Sequence, residues 1–533
     1  MPRPSSPNPT FAVASLDTVN PEGNTGTTAF TFTVTRAGPS GGAASVNYTV
    51  TGAQPDDFAG GVRPSGTIAF ARNETSKTIT ILVASDSQFE TDEAFTVTLS
   101  RPTGARIGTT SATGTIQNDD PASSAVERIS VASDGTQGNG SSLDSSISAD
   151  GRYVTYHSDA PDLVDGDTNG INDVFVFDRE TGTTERVSVS STGEQGNNAS
   201  FSPNISADGR YVTYFSLASN LVDGDTNGNY DVFVFDRETG TTERISVSST
   251  GEQGNGTSFS PDISADGRYV TYYSDASNLV DGDTNGTNDI FVFERETATT
   301  ERVSVSSTGE QGDGGSFSSD ISADGRYVTY SSTAANLVDG DTNGQADVFI
   351  FDRQTGTTER VSVSSTGEQG NSASFEPSIS ADGGYVTYQS LASNLVDGDT
   401  NETFDVFVFD GQTETTERVS VSSAGEQGND ASIAPSISAD GRYVTYFSPA
   451  SNLVDGDTNE TYDDFVFDRQ TDTTERVSVS AAGEQGNSDS SNASISADGT
   501  FVTYSSSASN LVDGDTNGTY DVFVVQLQDL LLA

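Results

Sequence analysis

The stretch Ile147-Ser148-Ala149-Asp150-Gly151-Arg152-Tyr153-Val154-Thr155-Tyr156 decides the fold, because it comes back. Ile-Ser-Ala-Asp-Gly starts again at Ile205, Ile263, Ile321, Ile379, Ile437 and Ile495, always 58 residues on. Arg-Val/Ile-Ser-Val keeps the same period at Arg128, Arg186, Arg244, Arg302, Arg360, Arg418 and Arg476. Seven copies at one period mark stacked supersecondary units.

Each copy reads as β. Tyr153 to Ser158 is a compact run of Tyr, Val and Thr. Val174-Phe175-Val176-Phe177 is apolar at every position, as in a strand covered on both faces. Arg186-Val187-Ser188-Val189 alternates, so one face is buried. A fourth short strand fits around Ile147, and Asp150-Gly151, Thr181-Gly182 and Thr192-Gly193 supply turns. No helical period is present. Four strands in each of seven units predict an all-β fold whose C-terminal part, 126–526, is a seven-bladed β-propeller. The array opens on an orphan fourth strand, Glu127 to Ser133, and ends on the first three strands of a copy near Val525. The opening strand is therefore expected to complete the last blade, which removes exposed sheet edges. An open β-solenoid is the alternative, but it has no need of a split unit. Residues 527–533 form a tail.

The repeat text, with Asp-Val-Phe-Val-Phe-Asp-Arg-x-Thr-Gly after it, resembles the TolB-like propeller repeats of many bacterial envelope and secreted proteins. The resemblance covers about 124–526. It implies fold more than function, since propellers host many functions.

Residues 11–120 lie outside the period. Short alternating runs at Phe30 to Thr35, Ser45 to Val50, Gly66 to Phe70, Thr78 to Val83 and Ala94 to Leu99 predict an immunoglobulin-like β-sandwich. Residues 121–125 are the linker. The segments Pro21-Glu22-Gly23, Asp56-Asp57-Phe58, Phe89-Glu90-Thr91-Asp92-Glu93-Ala94-Phe95 and Ile116-Gln117-Asn118-Asp119-Asp120 resemble a Calx-beta domain. The resemblance implies calcium held at one end of the sandwich by Glu22, Asp57, Asp86, Glu90, Glu93, Asp119 and Asp120. Ser85 and Asn118 stand where strong binders carry carboxylates.

Between the second and third strands every copy reads Asp-Gly-Asp-Thr-Asn-x-x-x-Asp. In the first, Asp165, Asp167, Asn169 and Asp173 put oxygens at positions 1, 3, 5 and 9, and the Ile171 carbonyl stands at position 7. This is the spacing with which a short loop wraps a hard oxygen-seeking cation such as Ca²⁺. The corresponding sets are Asp223, Asp225, Asn227, Asn229 and Asp231; Asp281, Asp283, Asn285, Thr287 and Asp289; and Asp339, Asp341, Asn343, Gln345 and Asp347. The last three are Asp397, Asp399, Asn401, Thr403 and Asp405; Asp455, Asp457, Asn459, Thr461 and Asp463; and Asp513, Asp515, Asn517, Thr519 and Asp521. Val176 replaces the EF-hand's twelfth-position Glu, so the loops are closer to the hairpin calcium loops of integrin-type propellers. Copies five and six replace the turn glycine with Glu402 and Glu460, which predicts weaker sites or a different turn. About seven Ca²⁺ are expected, pinning the loops; the alternative is that Asp-Gly and Asn-Gly simply make turns.

The 533 residues carry 78 acidic and 24 basic groups, a net charge of −54. So acidic a chain is a poor partner for nucleic acid and a good one for cations. Cysteine is absent, and Lys77 and His157 are the sole residues of their kinds. Thiol chemistry is excluded, and acid–base chemistry in the repeats would rest on carboxylates or Tyr. Gly38-Pro39-Ser40-Gly41-Gly42 matches a nucleophile elbow in letters but sits between two sandwich strands, so it reads as a turn. His157 sits at a variable position, Gln195-Gly196-Asn197 reads as a turn, and Phe201, Phe259, Phe317, Phe375 and Ile433 read as core or as a ring of ligand contacts. No 18-residue apolar run exists and no signal peptide is visible at the N-terminus.

The expectation is a non-enzymatic, calcium-binding adhesion or interaction protein, extracellular or on the cell surface. Its partner would be a protein, a polysaccharide or another copy of the chain. Two alternatives stand beside it: a carbohydrate-binding or lyase-type propeller with its site at the channel mouth, and a structural subunit of a surface layer or filament.

Overall fold

The computed structural model describes residues 8–21, 26–55, 57–84, 93–117 and 126–527. Every element of secondary structure among them is a strand, and the chain divides into two compact units, Met1–Ser124 and Ala125–Ala533. The linker expected at 121–125 and all of the tail but Leu527 lie outside the described residues.

The N-terminal unit has nine strands: β1 (Thr10–Asp17), β2 (Val19–Pro21), β3 (Thr27–Ala37), β4 (Ala44–Gly52), β5 (Ser65–Phe70), β6 (Ser76–Ala84), β7 (Glu93–Thr103), β8 (Arg106–Thr109) and β9 (Ser111–Gln117). One sheet has the order β6-β3-β1-β8, the other β2-β9-β7-β4-β5. Alternation along β3 sends Phe30, Phe32 and Val34 inward, where they meet Phe11, Phe58, Phe70 and Phe95. The Phe95 ring takes Phe30, Phe32 and Phe58 edge-on at 5.5, 5.8 and 5.6 Å. Gly114 leaves it room, since a Cβ there would lie 2.6 Å from the ring. Four strands (β1, β2, β8 and β9) were not expected. β8 and β9 are rich in Thr, Ser and Gly, and β8 and β2 pair in parallel with β1 and β9, a non-local pairing without a hairpin signal.

The second unit begins with β10 (Val126–Arg128), followed by β11 (Ser142–Ile147), β12 (Tyr153–Ser158), β13 (Asp173–Asp178) and β14 (Thr183–Arg186). These last four form one antiparallel sheet in chain order, and five further sheets repeat the pattern. A seventh combines Ser490–Ile495, Phe501–Ser506 and Asp521–Gln526 with β10, in register Val126↔Val525, Glu127↔Val524 and Arg128↔Phe523. The two faces of β13 serve different neighbours. Val174 and Val176 pack with Val212 and Tyr214 of the following sheet; Phe175 and Phe177 pack with Tyr156 of their own and Val522 and Val524 of the last. This is why the strand has no polar face.

The fourth strand ends earlier than its pattern predicts. Thr183–Arg186 form it; Val187 still donates its amide to the Val174 carbonyl at 2.8 Å, and Ser188 then turns inward, its hydroxyl accepting the Val174 amide and donating to Asp173. Successive sheets are braced by the repeat text itself. Gly209 has φ 71°, and a Cβ there would lie 2.0 Å from the Tyr153 ring of the sheet before it. Arg237 covers the same ring at 4.3 Å. Between the last sheet and the first, Phe501 takes the place of this Tyr, against Gly151 and under Arg179 at 4.4 Å. Backbone bonds of 3.1 Å link Ala149 to Ala207 and so on from sheet to sheet as far as Ala497.

Arg210 grips Asp236 with two bonds of 2.9 and 2.8 Å and holds its carboxyl down at about 2, and Arg326 does the same for Asp352. With folded pKa values depressed, these groups contribute stability above the unfolded value of roughly 4 and lose it as the pH falls towards 2. Urea midpoints are therefore expected to drop between pH 4 and pH 2, and to drop less steeply in Arg210→Gln/Arg326→Gln; an unchanged slope would contradict this.

Candidate functional site

The loop from 159 to 172 joins β12 to β13 and is anchored by Leu163, 1% exposed. Its last acidic residue, Asp173, begins β13 and is fully buried. Ser188 donates to Asp173 Oδ1 at 2.6 Å. Gln195 Nε2 donates to Asp173 Oδ2 at 2.7 Å and to Asp167 Oδ1 at 2.8 Å, bridging the two carboxylates. The Arg186 guanidinium lies 3.5 Å from Asp167 and 3.7 Å from Asp173. Burial raises the Asp173 pKa, and the Ser188 and Gln195 bonds and then Arg186 oppose that rise. Asn169 accepts from the Ile171 amide at 3.2 Å and donates to the Gly196 carbonyl at 3.0 Å. Asp165 is exposed.

The loop thus divides its four side chains. Asp167 and Asp173 converge on Gln195 and Arg186, Asn169 closes the turn, and Asp165 faces solvent. The same Gln and Arg recur in every copy, from Gln253 on Asp225 and Asp231 to Gln137 on Asp515 and Asp521 across the two ends of the unit. The calcium loops expected from the spacing do not fit this arrangement. The place between the carboxylates is taken by an amide N–H and faced by a guanidinium, which supplies the positive charge a metal would otherwise bring. Among the described residues no three His, Asp or Glu side chains stand close enough to hold a metal ion. The same arrangement recurs in all seven loops, where Asp223, Asp281, Asp339, Asp397, Asp455 and Asp513 are exposed like Asp165. Glu402 and Glu460 adopt the same left-handed turn as Gly170, with φ 57° and 56° against 64°, rather than a different one.

Sequence reading missed Gln195 and Arg186 as the loop's partners. Their signal was the shared 58-residue period, which tied the Gln-Gly-Asn turn and the fourth strand to the acidic loop. Of the candidates at the end of the sandwich, Glu22, Asp86, Glu90, Asp119 and Asp120 lie outside the described residues. Asp57 accepts the Ala84 amide on its backbone carbonyl at 2.9 Å, and Glu93 accepts the Gln54 amide at 3.4 Å. Gly38 to Gly42 form the turn between β3 and β4.

Variation between copies collects elsewhere. β11 and its equivalents in the other six sheets, the last of them Ser490–Ile495, line one cavity of about 440 Å³, whose wall is Ser, Asn, Asp and Pro. Asp144, Ser202, Ser260 and Asn492 line it, and with Ser318, Glu376 and Ala434 they share one repeat position, all with φ between 45° and 59°. His157 is 6% exposed, with Nδ1 lying 3.6 Å from Asp144 Oδ2; burial lowers its pKa, opposed by Asp144 and Asp159.

Among the described residues no helix is long and apolar enough to cross a membrane. Comparison with curated proteins found no match. Among solved structures, a protein assigned as TolB from Agrobacterium tumefaciens is 15% identical, with a TM-score of 0.36 over 66% of this chain and 96% of that one. The apo Calx CBD1 domain is 26% identical, with a TM-score of 0.19 over 21% of this chain and 99% of that one. Residues 14–120 match the Calx-beta domain family model, and the N-terminal unit of this chain accordingly carries a Calx-beta domain.

Proposed function

We propose that this chain is a non-enzymatic binding protein of the cell exterior, in which a calcium-holding Calx-beta domain is joined to a closed seven-bladed propeller. The observation that carries the reading is the engagement of the repeated polar groups in bracing. Arg186, Gln195, Asp167 and Asp173 and their equivalents lock each loop, the Gly209–Tyr153 contact or its equivalent joins each sheet to the next, and Arg237 or its equivalent reinforces five of these seven junctions. A scaffold so committed leaves the variable positions for recognition. Closure is supported by β10 completing the last sheet and by Gly151 and Arg179 packing on Phe501. Calcium belongs, on this reading, to the sandwich alone.

Thermal unfolding of the whole chain tests it. Adding Ca²⁺ after a chelator is expected to raise the transition of the sandwich and to leave that of the repeats where it was, since a ligand stabilises only the unit that binds it. Uptake of seven ions by calorimetry, with a shift in the larger transition, would overturn the loop assignment. Closure has its own readout: amides of Val126–Arg128 should exchange as slowly as those of Asp173–Asp178, and fast exchange there would mean an open array.

A further inference from the structure

We propose that the mouth of the β11-lined cavity, on the side of the acidic loops, binds a neutral oligosaccharide. The inference rests on the reading of the chain as a binding protein and names its ligand class. Aromatic side chains form one continuous run over the first three sheets. His157 meets Phe201 at 5.3 Å, Phe201 meets Phe215 at 5.7 Å, Phe215 meets Tyr230 at 5.3 Å and Tyr230 meets Phe259 at 5.4 Å. Apart from His157 these rings are half-buried, with part of their surface open. The run is continuous only over these sheets. The position of His157, Phe215 and Tyr273 is Ser331, Gln389 and Ser505 in copies four, five and seven, and Phe447 of copy six meets Tyr462 at 5.5 Å, with Ile433 where Phe201 and Phe259 stand.

The run adjoins the cavity directly. Ser202, next to Phe201, lines the wall and donates to Asp144 Oδ2 at 3.4 Å. His157 Nδ1, buried and without a hydrogen bond, faces the same Asp144. Further along the wall Ser146 donates to Asn204 at 2.8 Å, Asn204 donates to Asp262, and Asp262 stands against Asp320.

A pyranose ring presents apolar C–H faces to aromatic planes and hydroxyls around its rim. Phe, Tyr and Phe beside Asp, Asn and Ser is the chemistry that receives both. An apolar peptide segment would leave the Asp and Asn wall without partners. The wall contains no Lys or Arg to hold an anionic sugar, and the chain's charge of −54 opposes one.

Titration calorimetry of the full chain with laminarihexaose, cellohexaose and chitohexaose is the test. At least one is expected to bind. Tyr230→Ala and Phe215→Leu should each weaken it by about tenfold, while Tyr462→Ala, outside the run, should change it less than about twofold. All three variants should keep the parent melting temperature. Because Tyr230 lies in a loop, its variant remains informative if Phe215→Leu fails to fold. Binding by none of the three sugars, or equal weakening by Tyr462→Ala, overturns the site and leaves the binding-protein reading standing. Conversion of a bound hexasaccharide to shorter products would support the site and overturn the non-enzymatic reading.

Discussion

Asp464→Val is expected to raise the stability of the repeat unit by about 2–4 kcal/mol at neutral pH. The third strand carries Val or Ile at this place in the other six copies, from Val174 to Val522. Asp464 is fully buried, and no donor reaches hydrogen-bonding distance of either carboxyl oxygen, although the Ala493 amide approaches. Burial first, and the neighbouring Asp463 second, push its pKa well above the ordinary carboxylate value. With the folded pKa raised, the native state is disfavoured progressively as the pH rises above the unfolded value of roughly 4. The gain from valine should therefore be small near pH 4 and grow towards neutrality. Urea denaturation at pH 4, 5.5 and 7 reads this directly, and an equal gain at all three would mean that lost packing rather than charge is the defect.

Arg302→Leu should act in the opposite direction, with a loss of about 3–5 kcal/mol. Its guanidinium lies 3.7 Å from Asp283 and 3.6 Å from Asp289, and Asp289 is fully buried. Ser304 and Gln311 would still donate to Asp289, at 2.7 Å each, but neither neutralises two carboxylates. Breaking such a cluster costs more than its formation yields, because a buried charge is left behind. The second change Asp289→Asn removes that charge and should recover a large part of the loss, so the two substitutions are strongly non-additive. If Arg302→Leu costs under about 1 kcal/mol, the cluster is not what holds the loop.

Much of this molecule was legible because it repeats. Val174-Phe175-Val176-Phe177 is apolar throughout and lies between two sheets, where each face finds a different core. The orphan fourth strand joined the last three-stranded copy, as the ends of the array required. What the sequence hid were partners that meet through space. Asp167 and Asp173 match a cation loop when read alone, and Gln195 matches a turn when read alone. Only the fold shows that the amide lies between the carboxylates, 22 and 28 residues away from them. Ser188 was hidden for a related reason, since an alternating pattern does not show where a strand leaves its ladder. In the sandwich, β8 and β2 pair in parallel with strands distant in sequence, which no local pattern announces.

The pairing of β10 has a consequence for how the chain is made. Val126 leaves the ribosome almost four hundred residues before Val525, its partner. At a synthesis rate of about 5–20 residues per second that interval is about 20–80 s. Throughout it, β10 is an unpaired edge amid a series of third strands with nearly its partner's sequence. The correct partner is distinguished by its surroundings: Phe501 in place of the usual Tyr, Asn492 donating to Asp144, and Thr503 donating to Ser145 where most copies carry Pro. Every nonsense truncation before Asp521 leaves β10 without its strand and exposes an edge that proteases and aggregation can exploit. Emergence of Asp521–Gln526, rather than of any earlier copy, is the step that completes the last sheet.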